Sequence, residues 1–152
     1  MHIQVSVFEQ TLRLMEGRTI VISYPISTSK FGLGIEEGTN RTPLGNFEIR
    51  EKIGEYAPER TIFRSREPAG IWDPGQATEE DLVLTRILWL HGLDPENANT
   101  HDRYIYIHGT NQEELVGTPA SHGCIRMRND DVIDLFDKVE TGTSLTIHRD
   151  EI

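Results

Sequence analysis

Leu82-Val83-Leu84-Thr85-Arg86-Ile87-Leu88-Trp89-Leu90 is apolar on both faces of an extended backbone. A half-buried strand alternates apolar and polar residues, so an unbroken run of this length predicts a central strand covered on both sides. A polar loop over residues 92–102 follows. Arg103–His108 (RYIYIH) then predicts a second interior strand. Ile105 and Ile107 share one of its faces, and Tyr104, Tyr106 and His108 share the other.

The chain outward from this pair is mostly β. Residues 2–8 (HIQVSVF) place Ile3, Val5 and Val7 on one face, and residues 11–15 place Leu12 and Leu14 on one face. A third strand is expected over 18–26. The connections at Glu9-Gln10 and Glu16-Gly17 are short, which predicts an antiparallel meander. A long loop rich in Gly, Asn and Pro spans 27–45, and long loops in compact domains are often functional. A strand over 46–53 comes next. Residues 54–81 read as an irregular excursion or lid.

One helix is expected. Asn129 suits an N-cap, with Asp130 and Asp131 in the first turn where the helix dipole favours negative charge. Val132, Leu135, Phe136 and Val139 form an apolar stripe, and Gly142 marks the stop. A last strand is expected over 143–148. The fold class is mainly β with α, a β-rich α+β arrangement with one clear helix in the C-terminal half.

The chain has 152 residues, 36% of them hydrophobic, which predicts a single domain over 1–152 with a real core. It carries 15 Lys and Arg against 25 Asp and Glu, a formal net charge of −10. That surface repels phosphate backbones, so no nucleic-acid partner is expected. No apolar run approaches the ~20 residues that span a bilayer, so no membrane insertion is expected. The first residues show no secretory signal. A cytoplasmic location is the simple expectation; periplasm or cell wall would require another export route or a leader already removed.

Cys124 is the only cysteine, so no internal disulfide forms. It lies in Ser121-His122-Gly123-Cys124-Ile125-Arg126, downstream of His108-Gly109. A thiol attacks a carbonyl only as thiolate, and an imidazole in reach can take its proton. His122 and His108 are both candidates. Gly123 lets backbone approach a substrate, and the amides of Gly123 and Cys124 are candidate oxyanion donors. A lone cysteine is more often plain packing. Zinc is a further alternative, with His108, His122, Cys124 and His148 as ligands, but the compact spacings of zinc ribbons are absent and no metal is predicted.

His108-Gly109-Thr110 followed by Ser121-His122-Gly123-Cys124-Ile125-Arg126 resembles the signature of the L,D-transpeptidase catalytic domain, the YkuD-type family. Thr42-Pro43-Leu44-Gly45-Asn46-Phe47 resembles that family's Thr-Pro-x-Gly-x-Phe block. The resemblance covers nearly the whole chain and implies a β-sandwich or mixed-sheet fold.

It also implies roles. Cys124 is the nucleophile, His108 the base, and the carbonyl of Gly109 orients the imidazole. His122 supports the thiol, and Gly123 and Cys124 contribute oxyanion donors. Arg126 either binds a substrate carboxylate or buttresses the loop. Ser121 and Tyr106 are further candidate substrate contacts, with Ser121 more simply read as bonding the loop to itself.

The implied reaction is acyl transfer on peptidoglycan stem peptides or muropeptides through a thioester, releasing a terminal D-amino acid. Water as acceptor gives carboxypeptidase activity, and a free D-amino acid gives exchange. Carbapenem acylation of the thiol is expected, and no cofactor is needed. The contrasting readings are a binding module without turnover and a zinc hydrolase. His91-Gly92 mimics His108-Gly109 but stands at the wrong distance from Cys124. Trp72 is expected in a small cluster with Tyr56, Phe63 and Ile71 under the excursion.

Overall fold

The computed structural model describes residues 1–76 and 78–152. The chain forms β1 (His2–Ser6), β2 (Thr11–Glu16), β3 (Thr19–Pro25), β4 (Gly45–Ile53), β5 (Thr61–Arg64), β6 (Glu67–Ile71), β7 (Val83–Gly92), β8 (Tyr106–Gly109), β9 (Ile125–Met127), α1 (Asn129–Lys138) and β10 (Ser144–His148). The strands run β3-β2-β1-β10-β4-β7-β5-β6; β8 branches from β7, and β9 pairs with β8.

The doubly apolar run is the branch point. β7 pairs antiparallel with β4, β5 and β8, and nearly all of its residues are buried. Its register slips between Leu84 and Ile87, around Thr85 at a φ of 77°. A β-branched residue with positive φ is strained. Here surrounding hydrogen bonds hold it, with Thr85 Oγ1 donating to Asn129 Oδ1 at 2.6 Å and accepting from Arg60 N–H at 2.9 Å.

The meander expectation holds for β1, β2 and β3 only. β10 inserts beside β1 in parallel and pairs antiparallel with β4. That closure brings Leu145 and Ile147 beside Ile3, Val5 and Phe47 in one core, which α1 covers with Val132, Leu135 and Phe136. Each fully buried side chain of this kind contributes about 1.5–3 kcal/mol.

Four local expectations change. The 54–81 excursion contains a hairpin, β5–β6, turned by Ser65 and Arg66 at φ of 48° and 67°. Residue 77 of that segment lies outside the described residues. The strand expected over 103–108 begins only at Tyr106, because Tyr104 at a φ of 57° breaks the extended backbone. Asn129 is the first helical residue and Arg128 is the cap. The Asn129 side chain turns inward instead, where its Nδ2 donates to the Thr110 carbonyl at 2.8 Å. Finally, Tyr56 and Ile71 are exposed and Phe63 packs with Ile87, Trp89 and Tyr106, so the cluster expected of Trp72 with these three does not form among the described residues.

Candidate active site

β8 and β9 run parallel, with Ile107 opposite Ile125 and His108 opposite Arg126. Side chains alternate along each strand, so Tyr106 and His108 face the same side as Cys124 and Arg126. The sequence places chemistry at the mouth of this pair because Ile105, Ile107, Ile125 and Met127 anchor the other face in the main core.

Cys124 is half-buried and packs against a small cluster of Phe63, Ile87, Trp89 and Tyr106. Its sulfur accepts from the Tyr106 N–H at 3.4 Å and its thiol donates to the Tyr104 carbonyl at 3.4 Å. His108 is not among its hydrogen-bond partners. Burial pushes the thiol up to about 11, against the pull of the Tyr106 amide, Arg103 and Arg126, and Asp81 adds to the rise.

His108 is buried, and its Nδ1–H donates to the carbonyl oxygen of Gly109. This leaves Nε2 as the basic nitrogen of the ring. Burial holds the His108 pKa below the ordinary histidine value, with Arg126 acting in the same direction; Asp81 and the Gly109 carbonyl oppose it. Neutral imidazole therefore prevails at pH 7. Gly109 itself is confined, since a Cβ there would meet Asn129 Oδ1 at 2.3 Å and the Leu84 carbonyl at 2.7 Å.

The loop before Cys124 is tied down from within. Ser121 Oγ donates to the Cys124 carbonyl at 2.6 Å and accepts from the Gly123 N–H at 3.3 Å. The Gly123 amide thus points to Ser121. Gly123 sits at a φ of 119°, a conformation that glycine adopts without strain. Thr42, from the Thr-Pro block, donates to the Gly123 carbonyl at 3.0 Å. The two motifs recognised in sequence therefore touch.

Arg126 is fully buried. Its Nη1 donates to Asp81 Oδ1 at 2.9 Å and to Gln112 Oε1 at 2.6 Å. Its Nε and Nη2 are buried without a hydrogen-bond partner among the described residues. His122 is exposed at the surface, with Nδ1 3.0 Å from Asp81 Oδ2 and its ring tilted against Phe31. A cleft of about 230 Å³ lies beside His122, bounded also by Asn40, Arg103, Tyr104 and Ile105, and Cys124 is not part of its lining. On the other flank Tyr106 Oη accepts from Arg66 Nη1 at 3.1 Å, and Arg66 lies over the Trp89 ring at 4.8 Å.

Among the described residues no three His, Cys, Asp or Glu side chains gather as a metal site. His148 stands opposite Ser6 on the β1–β10 pair, in another part of the sheet from Cys124. His91 faces Glu48 on β4.

The structure brings together Cys124, His108, Gly109, Tyr106 and Arg126, and sets His122 at the rim. Asp81 escaped sequence reading. It lies in a run of acids, Glu79-Glu80-Asp81, that looks like a solvated face. Its one available signal is its position just ahead of the central strand.

Fold and site define a β-rich domain of the L,D-transpeptidase type. The L,D-transpeptidase catalytic domain, YkuD, matches residues 1–147, and the chain belongs to that family. YkuD of Bacillus subtilis strain 168, named as an L,D-transpeptidase, is 31% identical over 148 residues, covering 97% of this chain and 66% of the relative. YqjB of the same organism, also so named, is 51% identical over 109 residues, covering 72% and 53%.

Among solved structures, an L,D-transpeptidase of Xylanimonas cellulosilytica superposes with a TM-score of 0.62 at 18% identity, covering 96% of this chain and 59% of that one. LdtMt1 in complex with imipenem gives 0.59 at 18%, covering 96% and 57%. These likenesses show the fold. The chain spans roughly half to two thirds of the length of these proteins.

Proposed function

We propose that this domain is a cysteine acyltransferase acting on peptidoglycan stem peptides, with Cys124 as nucleophile and His108 as base. The observation that carries the reading is the placement of a buried, neutral imidazole on the same face of the β8–β9 pair as a partly accessible thiol.

The thiol begins protonated. The Sγ–H bond breaks as Sγ bonds to the carbonyl carbon of the donor, and His108 Nε2 receives the proton. Concerted transfer suits a thiol held near pKa 11 better than a standing ion pair. His108 closes on the sulfur when a donor is bound, as catalytic hydrogen bonds often tighten only in the Michaelis complex. The amide of Cys124 faces the developing oxyanion, while Ser121 keeps the loop in shape through the Gly123 amide. The C–N bond to the terminal D-amino acid then breaks, and its nitrogen takes the proton back from His108. A thioester remains on Cys124.

An acceptor amine gives up a proton to His108, forms a C–N bond and expels the sulfur, which regains the proton. Water in place of the amine gives carboxypeptidase activity, and a free D-amino acid gives exchange. Tyr106 and the cleft beside His122 provide contacts for the stem peptide. Arg126, held by Asp81 and Gln112, serves as an internal brace. A carbapenem is expected to acylate the same sulfur. No cofactor enters.

The test is incubation with a purified tetrapeptide muropeptide, with and without a D-amino acid, followed by mass spectrometry. D-alanine release with exchanged or cross-linked product supports the reading. Retained binding with no release contradicts it and leaves a binding module.

A further inference from the structure

Asp81 stands two residues ahead of β7, with its side chain 21% exposed. Its two oxygens are divided. Oδ2 accepts from His122 Nδ1 at 3.0 Å, and Oδ1 accepts from Arg126 Nη1 at 2.9 Å. Those partners sit two residues before and two residues after Cys124. Arg126 in turn is the register partner of His108. One carboxylate therefore straddles the cysteine loop and lies on the face that carries the imidazole.

We propose that Asp81 is a positioning residue of the thiol chemistry: it holds His122 and Arg126 around Cys124 and supplies the negative charge that favours the imidazolium formed when His108 takes the thiol proton. The proposal rests on the assignment of Cys124 and His108 as the reacting pair.

A buried imidazolium is costly unless a counter-charge is near. The groups that bear on His108 are the Gly109 carbonyl, Arg126 from β9, and Asp81. The carbonyl is neutral and Arg126 has the wrong sign, so Asp81 is the carboxylate that compensates. Burial is the strongest influence on Asp81 and pushes its pKa up, but His108, His122 and Arg126 together outweigh it and keep it below the usual carboxylate range. It is charged wherever histidine chemistry operates.

The same charge opposes a thiolate on Cys124, as Arg103 and Arg126 favour one. Asp81 therefore suits a step in which negative charge leaves sulfur for the carbonyl oxygen while the proton settles on His108. A free thiolate is not what this arrangement stabilises.

The experiment compares Asp81→Asn with Asp81→Glu in the whole chain. The isosteric neutral variant is expected to lower the His108 pKa in a ring NMR titration, and Asp81→Glu to restore it. Alkylation of Cys124 at fixed pH should rise about threefold in Asp81→Asn, because the charge that opposes the thiolate is gone. Turnover of a tetrapeptide donor should fall about tenfold or more in kcat, with KM nearly unchanged.

If Asp81→Asn unfolds, Asp81→Ser removes the same charge at a site that water reaches. A folded neutral variant with an unmoved His108 titration and unmoved alkylation overturns the proposal and leaves Asp81 as a fastening of the loop. Neither readout uses a wall substrate. Absence of muropeptide turnover by the unsubstituted protein would therefore count against the acyltransferase reading alone.

Discussion

His108 and Arg126 stand opposite each other across the parallel β8–β9 pair. Burial opposes protonation of His108 most strongly and the Arg126 guanidinium adds to it, outweighing Asp81 and the Gly109 carbonyl. The acid limb of kcat/KM should therefore lie below the ordinary histidine pKa of about 6.5. A pH–rate profile on a tetrapeptide donor checks this. The sign for stability is the same: the unfolded chain binds the proton more readily, so folding free energy is lost as pH falls below about 6.5 toward the native His108 pKa.

Cys124 should behave as a slow thiol. Its pKa is raised to about 11 by burial first. The iodoacetamide rate should keep climbing with pH through 8 and 9 and level off only near that value. A plateau near 8.5, the value of a free cysteine, would show an exposed sulfur. The same rise means that the folded state binds its proton more tightly, so stability falls as pH climbs from the unfolded thiol value toward 11.

Gly109→Ala should be damaging out of proportion to its size. Its Cβ would overlap Asn129 Oδ1 and the Leu84 carbonyl, and neither neighbour is free to move. Overpacking of this kind costs about 1–3 kcal/mol. A shifted residue 109 also moves the carbonyl that orients His108. Thermal melts should show reduced stability, and kinetics should show kcat falling while KM changes little.

Arg126→Ala should destabilise by about 2–4 kcal/mol, because it empties a fully buried site and removes the donor to Asp81 Oδ1 and Gln112 Oε1, although His122 and water still reach Asp81. Arg128→Ala, two residues on, should change stability by no more than about 0.5 kcal/mol, since its contact with Asp130 is long and exposed. Urea titration of both variants checks the contrast.

Much of this was legible in the chain itself. The run Leu82–Leu90 reads as a central strand because it has no polar face, and β7 has three strand partners. The alternation of Arg103–His108 assigns His108 to the face of Tyr106 because side chains on a strand alternate strictly.

What stayed hidden depends on contacts distant in sequence. β10 inserts between β1 and β4 because Leu145 and Ile147 complete their core, and no local pattern carries that. Asn129 has the chemistry of a cap, but Thr85 and Thr110 compete for its amide. The helix C-terminus is served by Lys52, whose Nζ donates to the carbonyls of Phe136 and Val139. Asp81 acquires its partners only when β7 lies beside β8.

The central claim is that Cys124 carries the acyl group. It is tested most directly by acid-quenching the protein with a tetrapeptide donor and mapping the adduct by peptide mass spectrometry. The account predicts a mass increase equal to the donor less one D-alanine, on the peptide containing Cys124, and none in Cys124→Ala. D-alanine release that persists in Cys124→Ala, or an adduct on a different residue, would contradict it.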